Sequence, residues 1–221
     1  LERGRDYRIQ VQNGAPADAS AMEERLTNGE GSDTPGSASR DGRWFAFDNV
    51  SPATGNDIWM LALQGESGMR PYLNTAANET DARFSPDGRW LAYASTSPPG
   101  GIFVKPFEEP GGGVLVAPGG LSPLWSPDGR EIFYLDGRSA LMVVPVNPQP
   151  RLSAGTPRQV AQGPFEGITY GITPDGKRLL LIQAVEIEHG QAQVNVIINW
   201  AQELQRRVLD RTPACGEPPD R

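Results

Sequence analysis

Four short runs along this chain are apolar at consecutive positions rather than at alternate ones: Trp44 to Phe47, Trp90 to Tyr93, Ile132 to Leu135 and Leu179 to Ile182. A strand that is apolar on both faces has to be covered on both. Each run follows a polar phrase. Two copies are complete, Ser85-Pro86-Asp87-Gly88-Arg89 and Ser126-Pro127-Asp128-Gly129-Arg130. Thr173-Pro174-Asp175-Gly176-Lys177 is a near match, and Ser39-Arg40-Asp41-Gly42-Arg43 lacks the proline. Ser, then Pro, then Gly at the fourth position suit a type I turn. Asp bonds nearby backbone, and Gly takes a positive φ without a Cβ penalty. Asp41, Gly42, Asp87, Gly88, Asp128, Gly129, Asp175 and Gly176 therefore read as structural turn residues.

Further strands recur between the phrases. A third strand follows each turn strand, at Ile58 to Leu63, Ile102 to Phe107, Leu141 to Val146 and Val194 to Trp200. A more polar fourth comes at Arg70 to Asn74, Val114 to Ala117 and Arg158 to Ala161, and a short strand then leads into the next turn at Asp81 to Phe84, Pro123 to Trp125 and Tyr170 to Ile172. A four-stranded antiparallel meander returning roughly every 40–50 residues is the blade of a β-propeller. The expected fold is all-β, a β-propeller with four recognisable four-stranded antiparallel blades.

The ends differ. Tyr7 to Val11 and Glu24 to Thr27 read as the last two strands of an earlier blade within residues 1–30, with 12–23 an insertion between them. Asn199 is a candidate helix N-cap, and Trp200, Leu204 and Val208 fall on one helical face. They predict a short C-terminal helix over 200–208 that packs on the last blade of a propeller unit spanning 1–208, with 31–208 holding the four blades and the helix. The Pro-rich, charged segment 209–221 is expected to be disordered. The chain opens on Leu1, which reads as a piece of a longer protein.

Composition narrows the function. Gly and Pro number 26 and 21 of 221 residues, which tight turns between short strands explain. A formal charge of −7 and no basic run beyond Arg206-Arg207 argue against nucleic acid and anionic membrane surfaces as partners. No apolar stretch is long enough to span a bilayer, and no signal peptide is visible. The single cysteine, Cys215, excludes an internal disulfide, cysteine-rich zinc sites and CxxC redox chemistry.

The repeated Ser-Pro-Asp-Gly-Arg/Lys phrase resembles the WD40-like β-propeller repeats of TolB-type proteins, over residues 5–208. Leu141 to Val146, Thr173 to Arg178 and Asn195 to Trp200 further resemble the C-terminal end of large bacterial proteins. In those, a cytoplasmic serine/threonine kinase or winged-helix regulator precedes a membrane helix and a propeller. The resemblance implies an extracytoplasmic (periplasmic) sensor or scaffold segment, and a ring of six or seven blades. Four blades alone allow two arrangements. In one, Glu24 to Thr27 adds an outer strand to the last blade and closes a small ring. In the other, favoured by the family's blade number, the chain is an open arc that shows Phe45 to Phe47 and Leu179 to Ile182 at its ends and self-associates.

Candidate chemistry is sparse. His189, the only histidine, sits in a polar stretch and reads as an exposed loop residue rather than part of a catalytic triad. No Gly-x-Ser-x-Gly elbow occurs. The sialidase Asp-box has one residue between Asp and Gly, whereas here they adjoin, and one Asp per blade does not make a calcium site. Trp44, Trp90 and Trp125 flank the turns and read as packing between blades rather than as a ligand-stacking platform. Asn78-Glu79-Thr80 matches a glycosylation sequon and carries little weight in a bacterial chain. No catalytic, metal-ligating or cofactor-binding set emerges. The expected function is a non-catalytic binding module for a protein, peptide or small molecule. Its loops Thr75 to Arg83 and Pro118 to Pro123 lead into the innermost strands, with Asp81 and Arg83 at the channel mouth, where they either bind ligand or pair and solvate. The alternative is a hydrolase or lyase with its site in the channel.

Overall fold

The computed structural model describes residues 10–12, 23–25, 27, 32–64, 68–138, 140–148, 151–163 and 165–183. All lie in one compact unit, Leu1–Ala184. The expected strand Val194 to Trp200, helix 200–208, tail 209–221, His189 and Cys215 lie outside the described residues, as do Tyr7 to Ile9 and most of the 12–23 insertion.

Strands β1 (Gln10–Gln12) and β2 (Glu23–Arg25) form an antiparallel pair of their own. The first blade is β3 (Asp33–Ala38), β4 (Trp44–Ser51), β5 (Gly55–Ala62) and β6 (Met69–Leu73), in that order across the sheet. The second repeats it with β7 (Glu79–Phe84), β8 (Trp90–Ser95), β9 (Gly101–Pro106) and β10 (Val114–Pro118). The third runs β11 (Leu121–Trp125), β12 (Glu131–Leu135) and β13 (Ala140–Asn147). Its β13 pairs with a two-residue strand, β14 (Ser153–Ala154), and with the outer strand β15 (Arg158–Gln162). Of the fourth, the described residues show β16 (Phe165–Ile172) and β17 (Leu179–Gln183). Every pairing is antiparallel.

Each Asp-Gly pair lies in the turn between the first and second strand of its blade, as the phrase predicts. The glycine N–H donates to the carbonyl of the Ser or Thr three residues earlier, at 2.8–3.0 Å in all four copies. All four glycines are left-handed, with φ of 69, 74, 71 and 69°. The turns also nest. A methyl on Gly129 would lie 3.6 Å from Pro86 Cδ, and one on Gly176 3.6 Å from Pro127 Cδ, so each turn sits against the proline of the turn before. The first turn has Arg40 instead, whose guanidinium donates to the Pro86 carbonyl at 2.9 Å.

The doubly apolar second strands are explained by stacking. Leu91 and Tyr93 of β8 join Ile58, Met60 and Phe84 in the core between blades one and two. Their neighbours Ala92 and Ala94 join Ile102, Trp125, Ile132 and Val144 between blades two and three. Phe133, Leu135 and Val143 then pack with Tyr170, Leu179 and Leu181 of blade four. Burying each large side chain contributes about 1.5–3 kcal/mol. Leu180 and Ile182, on the other face of β17, are 64% and 56% exposed. The first blade corrects the expectation: Phe47 is fully buried in a cluster with Leu61, with Phe45, Trp59 and Met69 packed against it.

The first strands were the least predictable. β3 reads Asp-Thr-Pro-Gly-Ser-Ala and has no apolar pattern. Such a strand pairs along one edge only, so it tolerates proline. β7, β11 and β16 begin two to five residues earlier than the apolar signal indicates.

Candidate functional site

Strands β3, β7, β11 and β16 neighbour one another from blade to blade and form the inner layer. Phe84 N–H donates to Ser37 Oγ at 3.0 Å, and the Trp125 indole N–H to the Arg83 carbonyl at 3.1 Å. Each inner strand is broken by a register shift: between Pro35 and Ser37, Thr80 and Arg83, Leu121 and Leu124, and Phe165 and Tyr170. Such bulges re-aim side chains and sharpen local twist.

In the second and third blades the bulge carries a non-glycine residue with positive φ, Asp81 at 59° and Ser122 at 52°. Both lie six residues before the aspartate of their turn. Left-handed non-glycine residues persist only where surrounding contacts hold them, and here those contacts come from the preceding blade. Asp48 Oδ2 of β4 accepts the Asp81 N–H at 3.0 Å. Asp81 Oδ2 in turn accepts the Ser122 N–H at 3.2 Å and its hydroxyl at 3.3 Å. Tyr170 of β16 donates its hydroxyl to the Ser122 carbonyl at 2.6 Å. One chain of polar contacts thus links β4, β7, β11 and β16.

Its electrostatics are uneven. Asp48 is 9% exposed and its Oδ1 is buried without a hydrogen-bond partner. Burial pushes its carboxyl up to about 7, the Asp81 charge adds to the rise, and the Asp81 N–H and the Arg83 charge oppose it. Burial likewise raises the Tyr170 phenol, so it stays a neutral donor. Asp81 and Arg83 are both half-buried. Asp81 is engaged with Ser122, and Arg83 donates to the Ala82 carbonyl at 3.3 Å without an ion pair among the described residues. The two residues proposed from sequence therefore come together with Asp48, Ser122 and Tyr170, which sequence reading did not single out. A usable signal existed: Asp48 interrupts an apolar strand, and Asp81 and Ser122 share their offset from the turn.

The turn end has different chemistry. Ser39 donates to Asp41 Oδ1 at 2.6 Å, and the Arg43 N–H and guanidinium donate to the same carboxylate at 3.1 and 2.6 Å. Ser85, Asp87 and Arg89 repeat this at 2.6, 3.1 and 2.7 Å. The Ser39 bond, then those from Arg43, hold Asp41 down at about 2. Burial works against Asp87, but bonds from Ser85 and Arg89 keep it below its ordinary value. Bonds from Ser126 and Thr173 lower Asp128 and Asp175. Clefts of about 840 and 740 Å³ run between the turns, with Trp90 and Arg89 in both. All three tryptophans pack between blades and also line clefts; Trp125 is buried, whereas Trp44 and Trp90 are half-buried. Among the described residues no group of three or more His, Cys, Asp or Glu is placed to hold a metal ion.

Radially repeated antiparallel meanders, packed face to face around an inner strand layer, define a β-propeller. Solved structures make the likeness more specific. TolB from Acinetobacter baumannii superimposes with a TM-score of 0.58 at 19% identity, covering 72% of this chain and 39% of that one. A putative TolB from Agrobacterium tumefaciens gives 0.57 at 19%, covering 75% and 59%. Sqt1 from Chaetomium thermophilum gives 0.52 at 19%, covering 79% and 48%. The chain has the TolB-type propeller fold and spans 39% and 59% of the length of the two TolB chains. No protein-family model and no curated protein matches the sequence.

Proposed function

We propose that this chain is a non-catalytic binding module, a propeller segment of a larger bacterial protein in which it acts outside the cytoplasm as a sensor or scaffold. The extracytoplasmic placement rests on the family resemblance of the repeats. One observation carries the binding reading: the inner-strand bulges at Asp81 and Ser122 are locked in left-handed conformations by blade-to-blade bonds. A channel mouth held this way is preorganised for a ligand. Arg83 is its charged handle, and a peptide or small molecule with an acidic group is the ligand class it fits.

A hydrolase or lyase reading would lean on Asp48, whose carboxyl titrates near neutrality. Its Oδ2 is taken by the Asp81 N–H and its Oδ1 is buried, so neither oxygen reaches a substrate. The binding reading is therefore preferred.

Selection of peptides from a displayed random library against the chain, followed by calorimetry, tests it. The expected result is a set of acidic peptides whose binding falls about tenfold in Arg83→Gln, with an unchanged melting temperature. Binders indifferent to Arg83 and Asp81 would move the site elsewhere. Turnover in a hydrolase and lyase substrate screen, abolished by Asp48→Asn, would overturn the non-catalytic reading.

A further inference from the structure

The outer rim between the first two blades holds two cations in an unusual setting. Lys105 of β9 pairs across the sheet with Leu91, whose side chain faces blade one. Lys105 is 3% exposed, and its ammonium sits 4.4 Å from the centre of the Tyr72 ring of β6. Arg70, on the same strand as Tyr72, lies 4.9 Å from the Trp44 ring centre. Tyr72 is fixed by donating its hydroxyl to the Phe107 carbonyl at 2.7 Å. All four side chains line one crevice of about 470 Å³. Among the described residues neither cation is in an ion pair.

A buried ammonium is normally matched by a carboxylate. An aromatic face attracts a cation but supplies no counter-charge and accepts no strong hydrogen bond. Burial lowers the Lys105 ammonium from its ordinary value, which is the expected consequence of a charge left without an anion. Glu108 and Glu109 line the same crevice but are exposed on the loop after β9, and neither bonds to Lys105 or Arg70. Their charge raises the cost of a dianion such as phosphate more than that of a single carboxylate.

We propose that this crevice is a carboxylate-binding site, separate from the channel mouth. Lys105 and Arg70 are the donors, the rings of Trp44 and Tyr72 are the walls, and the ligand is an acidic side chain or a free C-terminus of a peptide segment. The site does not depend on the channel reading, since it shares no residue with Asp81 or Arg83.

The chain has two lysines, Lys105 and Lys177, and Lys177 is exposed in the fourth turn. Carbon-13 labelling of lysine side chains therefore gives one reporter and one internal control in a single spectrum. The probes are acetyl-Gly-Glu-Gly-amide, its Gln counterpart, acetyl-triglycine with a free carboxylate, and inorganic phosphate. The expected result is a saturable shift of the Lys105 signal with one or both carboxylate peptides, a fixed Lys177 signal and no response to the Gln peptide. Whichever of the two carboxylate peptides binds more tightly tells a side chain from a chain terminus. Phosphate shifts Lys105 more weakly. Arg70→Gln, an exposed position, weakens binding by roughly threefold to tenfold. Lys105→Met abolishes it while leaving the melting temperature unchanged or higher, because an apolar stem replaces an unmatched buried charge. Equal responses to the Glu and Gln peptides, parallel movement of the two lysines, or no movement of Lys105 would overturn the site.

Discussion

Turn aspartates and inter-blade aspartates are held in opposite ways. In the turns, Asp41 and Asp87 take their bonds from residues two positions away. At the inner-strand bulges, Asp48 and Asp81 bond residues 33 and 41 positions away, in the next blade. The turn carboxylates stay in water and are pulled below their ordinary values by donors aimed at the charged form. Asp48 is buried with one oxygen unmatched and is pushed up to about 7. The same side chain secures a blade to itself in one place and to its neighbour in the other. Only the second use sets the register between blades.

That contrast predicts a stability profile with two opposed limbs. Asp48 titrates higher in the folded chain than its ordinary 3.8, so its contribution is complete below about pH 4 and is lost as pH rises through about 7. The loss is on the order of 4 kcal/mol across the window. The turn aspartates have the reverse sign: their contribution is present above about pH 4 and is lost as pH falls through about 2 for Asp41. Urea melts between pH 3 and 8 should show a maximum near pH 4–5. Asp48→Asn should flatten the upper limb and leave the acid limb in place. An upper limb unchanged in that variant would remove Asp48 from the account.

Glycines sharpen the comparison next. Gly101 has φ 147°, and a methyl there would collide with the Ala117 carbonyl oxygen across the β9–β10 pair. Gly88 has φ 74°, with nothing nearer than Arg40 Cβ at 3.8 Å. Gly101→Ala should therefore cost about 3 kcal/mol or more, and Gly88→Ala about 1 kcal/mol. Denaturant melts that reverse this order would mean that turn geometry matters more than the close approach of strands. The smallest effect belongs to the exposed Arg89–Asp87 pair. Arg89→Ala should change stability by about 0.5 kcal/mol or less, because the Ser85 hydroxyl and backbone N–H still hold Asp87. A loss above 1 kcal/mol on calorimetry would show that the turn depends on the guanidinium.

How much of this could be read from sequence follows the same division. The turns and the strands after them were legible because their determinants lie within about ten residues: Ser, Asp and Gly at fixed offsets, then apolar pairs such as Ala92 and Tyr93 that need cover on both faces. The inner strands were harder. β3 offers no apolar alternation, and the bulges at Asp81 and Ser122 depend on Asp48 and Tyr170, far away in the chain. Asp81 and Arg83 stand out in the sequence only because they lead into a strand. Their partners could be known only once the blades were stacked. Lys105 stayed hidden for a related reason: its charge looks solvated until Tyr72 and Leu91 are placed around it.

The nesting of the third and fourth turns on the proline before them gives the molecule a direction. Contact passes from Pro86 to Gly129 and from Pro127 to Gly176, always from one blade to the next along the chain. Stability then behaves like a row of coupled units, in which each blade adds its own free energy plus one shared boundary. A blade with a boundary on each face opens last. Amide hydrogen exchange should accordingly be slowest in β8 and β12, which are packed on both faces, and fastest in β17, where Leu180 and Ile182 face solvent. Replacing Pro86 would loosen the second and third blades together, since the boundary it makes belongs to both.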